Sequence, residues 1–382
     1  MKALVFDTET TIYMKGTPFS KYNRLVVTGW KCLWKDEGFK HFYTGESEDE
    51  FYADLVECSH VVGFNLKFDL HWIRVLGDRF AEVFQTKRMW DCQLAEYVLS
   101  RQRWVYPSLD GAMERRNGPR KIDRIKLEYW DKGINTCDIP RDELTAYLQQ
   151  DVESTTWLFE QQKNDFQSNP MMFRVFCLSC EDLKVLEEME YNGIKIDTEL
   201  CHQRAVEVRA RLADYHEQLK PYAREVEVNW DSGDHLSAVL FGGYISVQEQ
   251  ECIGIYKTGA KAGQRKYRTV DNLIHFPRLF EPQDEWEVKK TKDKQTYELQ
   301  EEGKWRIYFT NDEVLSTLKD KIGIVTILKA RAKWTKILEY YVKLPKLVEE
   351  KGWEPSMLHG QFNQVVTRTG RASSSDPLIG GL

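Results

Sequence analysis

An apolar run near the N-terminus, Ala3-Leu4-Val5-Phe6, passes directly into Asp7-Thr8-Glu9. The run reads as a strand, and on a strand residues two apart point to the same face. Asp7 and Glu9 therefore project together from its C-terminal end, where open α/β sheets place their ligands. Two adjacent carboxylates repel, each raising the pKa of the other, and a divalent cation relieves that repulsion. The same pair on a strand edge is also common as a merely solvated feature, so the rest of the chain has to decide.

Two further segments add acids. In Gly63-Phe64-Asn65-Leu66-Lys67-Phe68-Asp69 an apolar strand gives way to a helix. Asn65 stands at the N-cap position, with Asp69 one turn on along the same face. An acid there also suits the helix dipole. In Tyr147-Leu148-Gln149-Gln150-Asp151, Tyr147 and Asp151 share a helix face, flanked by the apolar stripe Leu144, Leu148, Val152 and Thr155. A carboxylate beside such a stripe is costly unless it is paired or binds metal.

Around these segments, 25–34 and 39–45 read as strands, 60–64 as a short buried strand, and 47–58, 66–76, 91–100, 108–116 and 141–166 as helices. Ser168-Asn169-Pro170 interrupts the chain, since helices avoid the residue before proline. Beyond it come a helix to about Tyr191, a charged amphipathic helix at 199–223, a stretch at 244–310 that reads as β-hairpins or an extended insertion, and a long helix at about 325–350. The expected division is 1–168, 169–322 with an insertion at 257–308, and 323–382. A chain of 382 residues is long enough for two or three domains.

Composition narrows the class. No run reaches the ~18 apolar residues of a membrane span, and MKALVFDTET lacks the pattern of a signal peptide. The expected setting is the cytoplasm. Eight scattered cysteines read as reduced thiols. Cys177 and Cys180 have CxxC spacing, but neither a second Cys pair nor a His pair lies nearby to complete a zinc site. The net charge of −6 hides a basic stretch: Lys319 to Arg371 holds eleven Lys or Arg against five Asp or Glu.

The ordered set D-x-E, N-x-x-x-D, Y-x-x-x-D resembles the three exonuclease motifs of the DEDD superfamily, in the form with a tyrosine four residues before the last acid. Residues 1–166, including Trp90-Asp91-Cys92-Gln93-Leu94, are similar to the proofreading domain of family A DNA polymerases. The resemblance implies a ribonuclease H-like α/β domain, a mixed sheet with flanking helices, and a 3′→5′ DNA exonuclease with two Mg²⁺ ions, Mn²⁺ being the alternative. Asp7, Glu9 and Asp151 would hold one ion, and Asp7 with Asp69 the other. Tyr147 and Glu9 would orient the attacking water, and Thr8 and Asn65 would meet the terminal nucleotide.

Downstream, 183–197 (LKVLEEMEYNGIKID), 229–243 and 308–315 resemble the family's thumb region. His359-Gly360-Gln361-Phe362-Asn363-Gln364 followed by Thr369-Gly370-Arg371 resembles the start of its palm. By that resemblance Asn363, Gln364, Thr369 and Arg371 contact DNA, Arg371 in the minor groove near the primer end. The likeness stops at Asp376-Pro377, before the carboxylates and the fingers lysine that polymerisation uses. The expectation is therefore a fragment, or a split polymerase of phage kind whose second polypeptide supplies fingers and palm, with Leu378-Ile379 as a strand edge awaiting a partner. The insertion after Gly259 would recruit a processivity factor, touch DNA phosphates, or be surface elaboration. The alternatives are a stand-alone single-strand exonuclease, an RNA-trimming exonuclease, and a non-polymerising DNA-binding subunit.

Overall fold

In the computed structural model the described residues are 1–119, 124–224, 226–256, 263–288 and 305–375. They form two compact units, Met1–Asp197 with Leu344–Leu382, and Thr198–Lys343.

The first unit is built on a mixed five-stranded sheet ordered β3-β2-β1-β4-β5. Its strands are β1 (Ala3–Thr10), β2 (Leu25–Cys32), β3 (Lys40–Tyr43), β4 (His60–Gly63) and β5 (Arg88–Asp91). β1 to β3 run antiparallel, while β4 pairs parallel with both β1 and β5. β1 sits at the centre, and Leu4, Val5 and Phe6 are fully buried. That is why its sequence is an unbroken apolar run rather than an alternation. The first-unit helices are α1 (Asp49–Glu57), α2 (Leu66–Arg74), α3 (Asp78–Thr86), α4 (Cys92–Leu99), α5 (Leu109–Arg115), α6 (Arg124–Glu128), α7 (Arg141–Gln167) and α8 (Pro170–Asn192).

Gly29, which faces Asp7 across the β1–β2 pair, explains how closely α7 lies on the sheet. A Cβ at that position would fall 2.6 Å from the Phe39 ring and 2.8 Å from Leu148 Cδ2. The bare backbone admits α7 where a side chain would hold it off.

The units divide the chain elsewhere than the expected break at 168–170. Pro170 does start a new helix, as its fixed φ suits a first turn, but α8 folds back onto the first unit. Phe176 stacks on Phe166 at 5.0 Å and meets Trp90 edge-on at 4.7 Å, and Cys180 and Leu183 join the same core. Apolar residues at helical spacing outweigh the local break. The late segment returns too. β6 (Ile194–Lys195) pairs with β11 (Met357–Leu358), and β12 (Gln361–Asn363) pairs with β13 (Ser373–Ser375).

The second unit holds α9 (Thr198–Leu219), α10 (Gly233–Phe241), the long hairpin β7–β8 (Gly243–Ile255 with Arg265–Phe276), the short pair β9–β10 (Glu287–Val288 with Ile307–Tyr308) and α11 (Asp312–Thr317). α12 (Ile324–Lys351) begins in this unit. Its core gathers Phe241, Ile245, Phe276, Trp305, Tyr308 and Leu328. The expected insertion thus contains a hairpin, although 257–262 and 289–304 lie outside the described residues, as does the expected edge Leu378-Ile379. All eight cysteines are free. Among the described residues no helix is long and apolar enough to cross a membrane.

Candidate active site

β1 delivers Asp7 and Glu9 at its C-terminal half, on one face by the strand's two-residue period. α7 delivers Asp151. Leu148 and Val152 on that helix are buried to the last atom, and this fixes the rotation that turns Asp151 toward β1. One carboxylate oxygen from each of Asp7, Glu9 and Asp151 lies within 4.8 Å of the others, so three acids that sequence reasoning selected are brought together. Among the described residues these are the ones whose ligating atoms gather in this way, and Cys177 and Cys180 do not. The donor set is all hard oxygen, which suits Mg²⁺ or Mn²⁺ and not a thiolate-seeking ion. Tyr147, one turn before Asp151, packs edge-on against Trp130 at 5.5 Å.

Asp69 reaches the same place from α2. It is 2% exposed, and its Oδ1 accepts from Thr8 N at 3.1 Å and Thr8 Oγ1 at 2.6 Å. Burial, reinforced by the nearby charge of Asp7, pushes its carboxyl well above the usual range against the pull of the Thr8 bonds. Thr8, expected at the nucleotide, is therefore engaged in holding the fourth acid against β1.

Asn65 does not cap α2 through its side chain. It takes the left-handed conformation at φ 59°. The cap comes from Asp91, a residue sequence reasoning did not single out. Asp91 Oδ1 accepts from Gln93 N at 2.7 Å and Leu94 N at 3.1 Å, capping α4, while Oδ2 accepts from Leu66 N at 2.8 Å. One buried carboxylate thus starts two helices, and burial raises its pKa against these backbone bonds. An aspartate before Cys92 is a readable N-cap signal. Its second duty depends on the parallel pairing of Gly63 with Asp91, which no local pattern announces.

A cleft of about 490 Å³ opens beside the acids, with Asn65, Lys67, Asp91, Asn363 and Gln364 in its walls. One side is a network of alternating charge. The Glu190 carboxylate receives Lys67 Nζ and the backbone N–H of Phe362. His71 Nε2 lies 2.8 Å from Glu190, and its Nδ1 lies 3.2 Å from Glu187. His359 Nδ1 is 2.9 Å from the Glu190 carbonyl, with its ring stacked on Phe19 at 4.2 Å.

The residues expected on DNA fall into two groups. Asn363 donates to Ser375 Oγ at 3.0 Å and Gln364 to the Ser179 carbonyl at 2.9 Å, both in the cleft wall. Thr369 and Arg371 are exposed and lie apart from the cleft, where the Arg371 carbonyl accepts from Thr367 Oγ1 at 2.7 Å.

No family model matches the chain. DNA polymerase I of Bacillus subtilis (strain 168) is 24% identical over 248 residues, which is 65% of this chain and 22% of that protein. The chain is similar to DNA polymerase I. Among solved structures, the POL domain of Pol1 from M. smegmatis, in complex with DNA primer-template and dNTP, matches with a TM-score of 0.59 at 15% identity. That match covers 99% of this chain and 51% of that one. The chain therefore spans about half of the polymerase domain that it matches, and a smaller share of the bacterial polymerase.

Proposed function

We propose that this chain is the 3′→5′ proofreading exonuclease part of a family A DNA polymerase, with a ribonuclease H-like first unit and a thumb-like second unit. The observation that carries the reading is the gathering of Asp7, Glu9 and Asp151 oxygens within 4.8 Å, with Asp69 pinned beside them through Thr8. Asp7, Glu9 and Asp151 would hold one Mg²⁺ and Asp7 with Asp69 a second. When bound, such ions supply the positive charge that lowers a water's pKa and stabilises the leaving oxygen in phosphoryl displacement. The chain's own residues do the rest. Tyr147 and Glu9 orient the attacking water, Asn65 faces the terminal nucleotide from the cleft wall, and Arg371 meets the duplex. The substrate is a single-stranded DNA 3′ end, and the product a nucleoside monophosphate.

We assign nucleotide addition within the same complex to a separate polypeptide that bears fingers and palm. The support is the extent of the structural match, which takes in 51% of a polymerase-domain chain.

The test is hydrolysis of a 5′-labelled single strand. With Mg²⁺ the chain should shorten it stepwise, and a chelator should stop it. Asp7→Ala combined with Glu9→Ala should lower the rate by roughly 10³-fold while the strand still binds. Normal digestion by that double variant refutes the assignment.

A further inference from the structure

α8 carries two apolar stripes. The inner one, Phe176, Cys180 and Leu183, is buried in the first unit. The outer one, Met171, Val175, Leu178, Val185 and Met189, keeps the spacing of three and four residues that aligns side chains along a helix, and these five are 49–69% exposed. Exposed apolar residues scattered singly need no explanation, but an aligned row of five does. A helix that is apolar on both sides belongs in an interior. From Met171 to Met189 the row runs about 27 Å at 1.5 Å per residue, long enough to seat a helix or strand along its whole length.

The row also has a direction. It continues into a groove of about 270 Å³ whose walls include Val175, Ser179, Val185, Leu186, Gly370 and Ala372. The last two lead into β13, the final described strand, which pairs on one side with β12. The apolar row and the free strand edge therefore meet where the described chain ends. The structural match covers nearly all of this chain but 51% of the polymerase domain.

We propose that the outer face of α8, together with the groove beside Gly370 and Ala372, docks a separate polypeptide that carries the polymerising half, which presents an apolar surface to the row. This proposal rests on the reading of the chain as the exonuclease part of a polymerase, and it names the surface on which the complex assembles.

A photo-crosslinking amino acid at Leu178, and separately at Val185, tests it in the full 382-residue chain made in its native cells. The expected adduct, identified by mass spectrometry, joins the chain to a polypeptide with family A palm and fingers motifs. In parallel, Leu178→Glu combined with Val185→Glu should lower co-purifying DNA synthesis at least tenfold, leaving the unfolding temperature and the hydrolysis of single strands unchanged. An adduct between two copies of the chain, an adduct within 198–343, the absence of any adduct, or synthesis that co-purifies undiminished with the double variant overturns the proposal. The two readings fail separately. If the Asp7/Glu9 variant still digests DNA while the adduct forms, the exonuclease assignment falls and the docking surface stands.

Discussion

Two charged clusters flank α2, and they are assembled on opposite principles. On one side Asp69 joins Asp7, Glu9 and Asp151, so the fold concentrates like charge. On the other side Lys67 and His71, each two residues from Asp69 and so about 200° around the helix, interleave with Glu187 and Glu190. The second cluster neutralises itself and works as a clamp. It ties α2 and α8 to the backbone of Phe362. The first is strained by its own repulsion and is completed by a cation from outside. The difference separates a site from a fastening, although both are buried groups of ionisable side chains.

The sharpest way to break this comparison is to remove one charge from each cluster. Asp151→Asn should lower DNA hydrolysis by roughly 10³-fold, while the melting temperature holds or rises because a repelling charge is gone. Loss of stability without loss of activity would show that the acids serve the fold. Glu190→Gln should do the reverse. Breaking a buried pair that leaves Lys67 and His71 uncompensated costs about 3 kcal/mol, read as a fall in the denaturant midpoint. Hydrolysis at a temperature where the variant is folded should stay within tenfold of the parent.

Asp91→Ala sharpens the contrast from between the clusters. It strands the N–H groups of Gln93, Leu94 and Leu66 and should cost about 2 kcal/mol. Because α2 then starts without its cap, a drop in hydrolysis should accompany it, measured with the same labelled strand. Unchanged activity would show that Asp69 is positioned by Thr8 alone.

The smallest expected effect is on pH dependence. Burial lowers the His71 pKa, but Glu187 and Glu190 outweigh it and leave the pKa raised above 6.5. The clamp's contribution is therefore complete below pH 6.5 and is lost as pH rises through the folded value. Burial likewise raises the Glu190 pKa, but His71 and Lys67 outweigh it and leave the pKa lowered from 4.5. Its contribution is complete above pH 4.5 and is lost as pH falls through the folded value. Urea midpoints of the parent should thus be best between those limits, and His71→Gln should flatten the alkaline fall. An alkaline decline that persists in the variant would place its origin elsewhere.

Much of the site was legible in the sequence because it depends on short periods. Asp7 and Glu9 share a strand face by the two-residue repeat, and Asp151 is aimed by the stripe of Leu144, Leu148 and Val152. What stayed hidden depends on pairing between distant segments. Asn65 looked like a cap by residue type, yet the cap is supplied by Asp91 from the neighbouring strand. Pro170 looked like a domain boundary, yet Phe176, Cys180 and Leu183 return α8 to the first core. The clamp at Glu190 joins residues more than a hundred positions apart, and neither lysine nor glutamate advertises a partner.

The bare backbone at position 29 carries one last consequence. Leu148 touches the space that a methyl group would occupy there, and Asp151 follows less than a turn later on the same helix. An alanine at 29, itself neutral and inert, would push that helix outward and draw one carboxylate away from the other two. The spread of the acids is thus set by a single hydrogen on the far side of a strand pair, so an uncharged substitution is enough to disarm the chemistry.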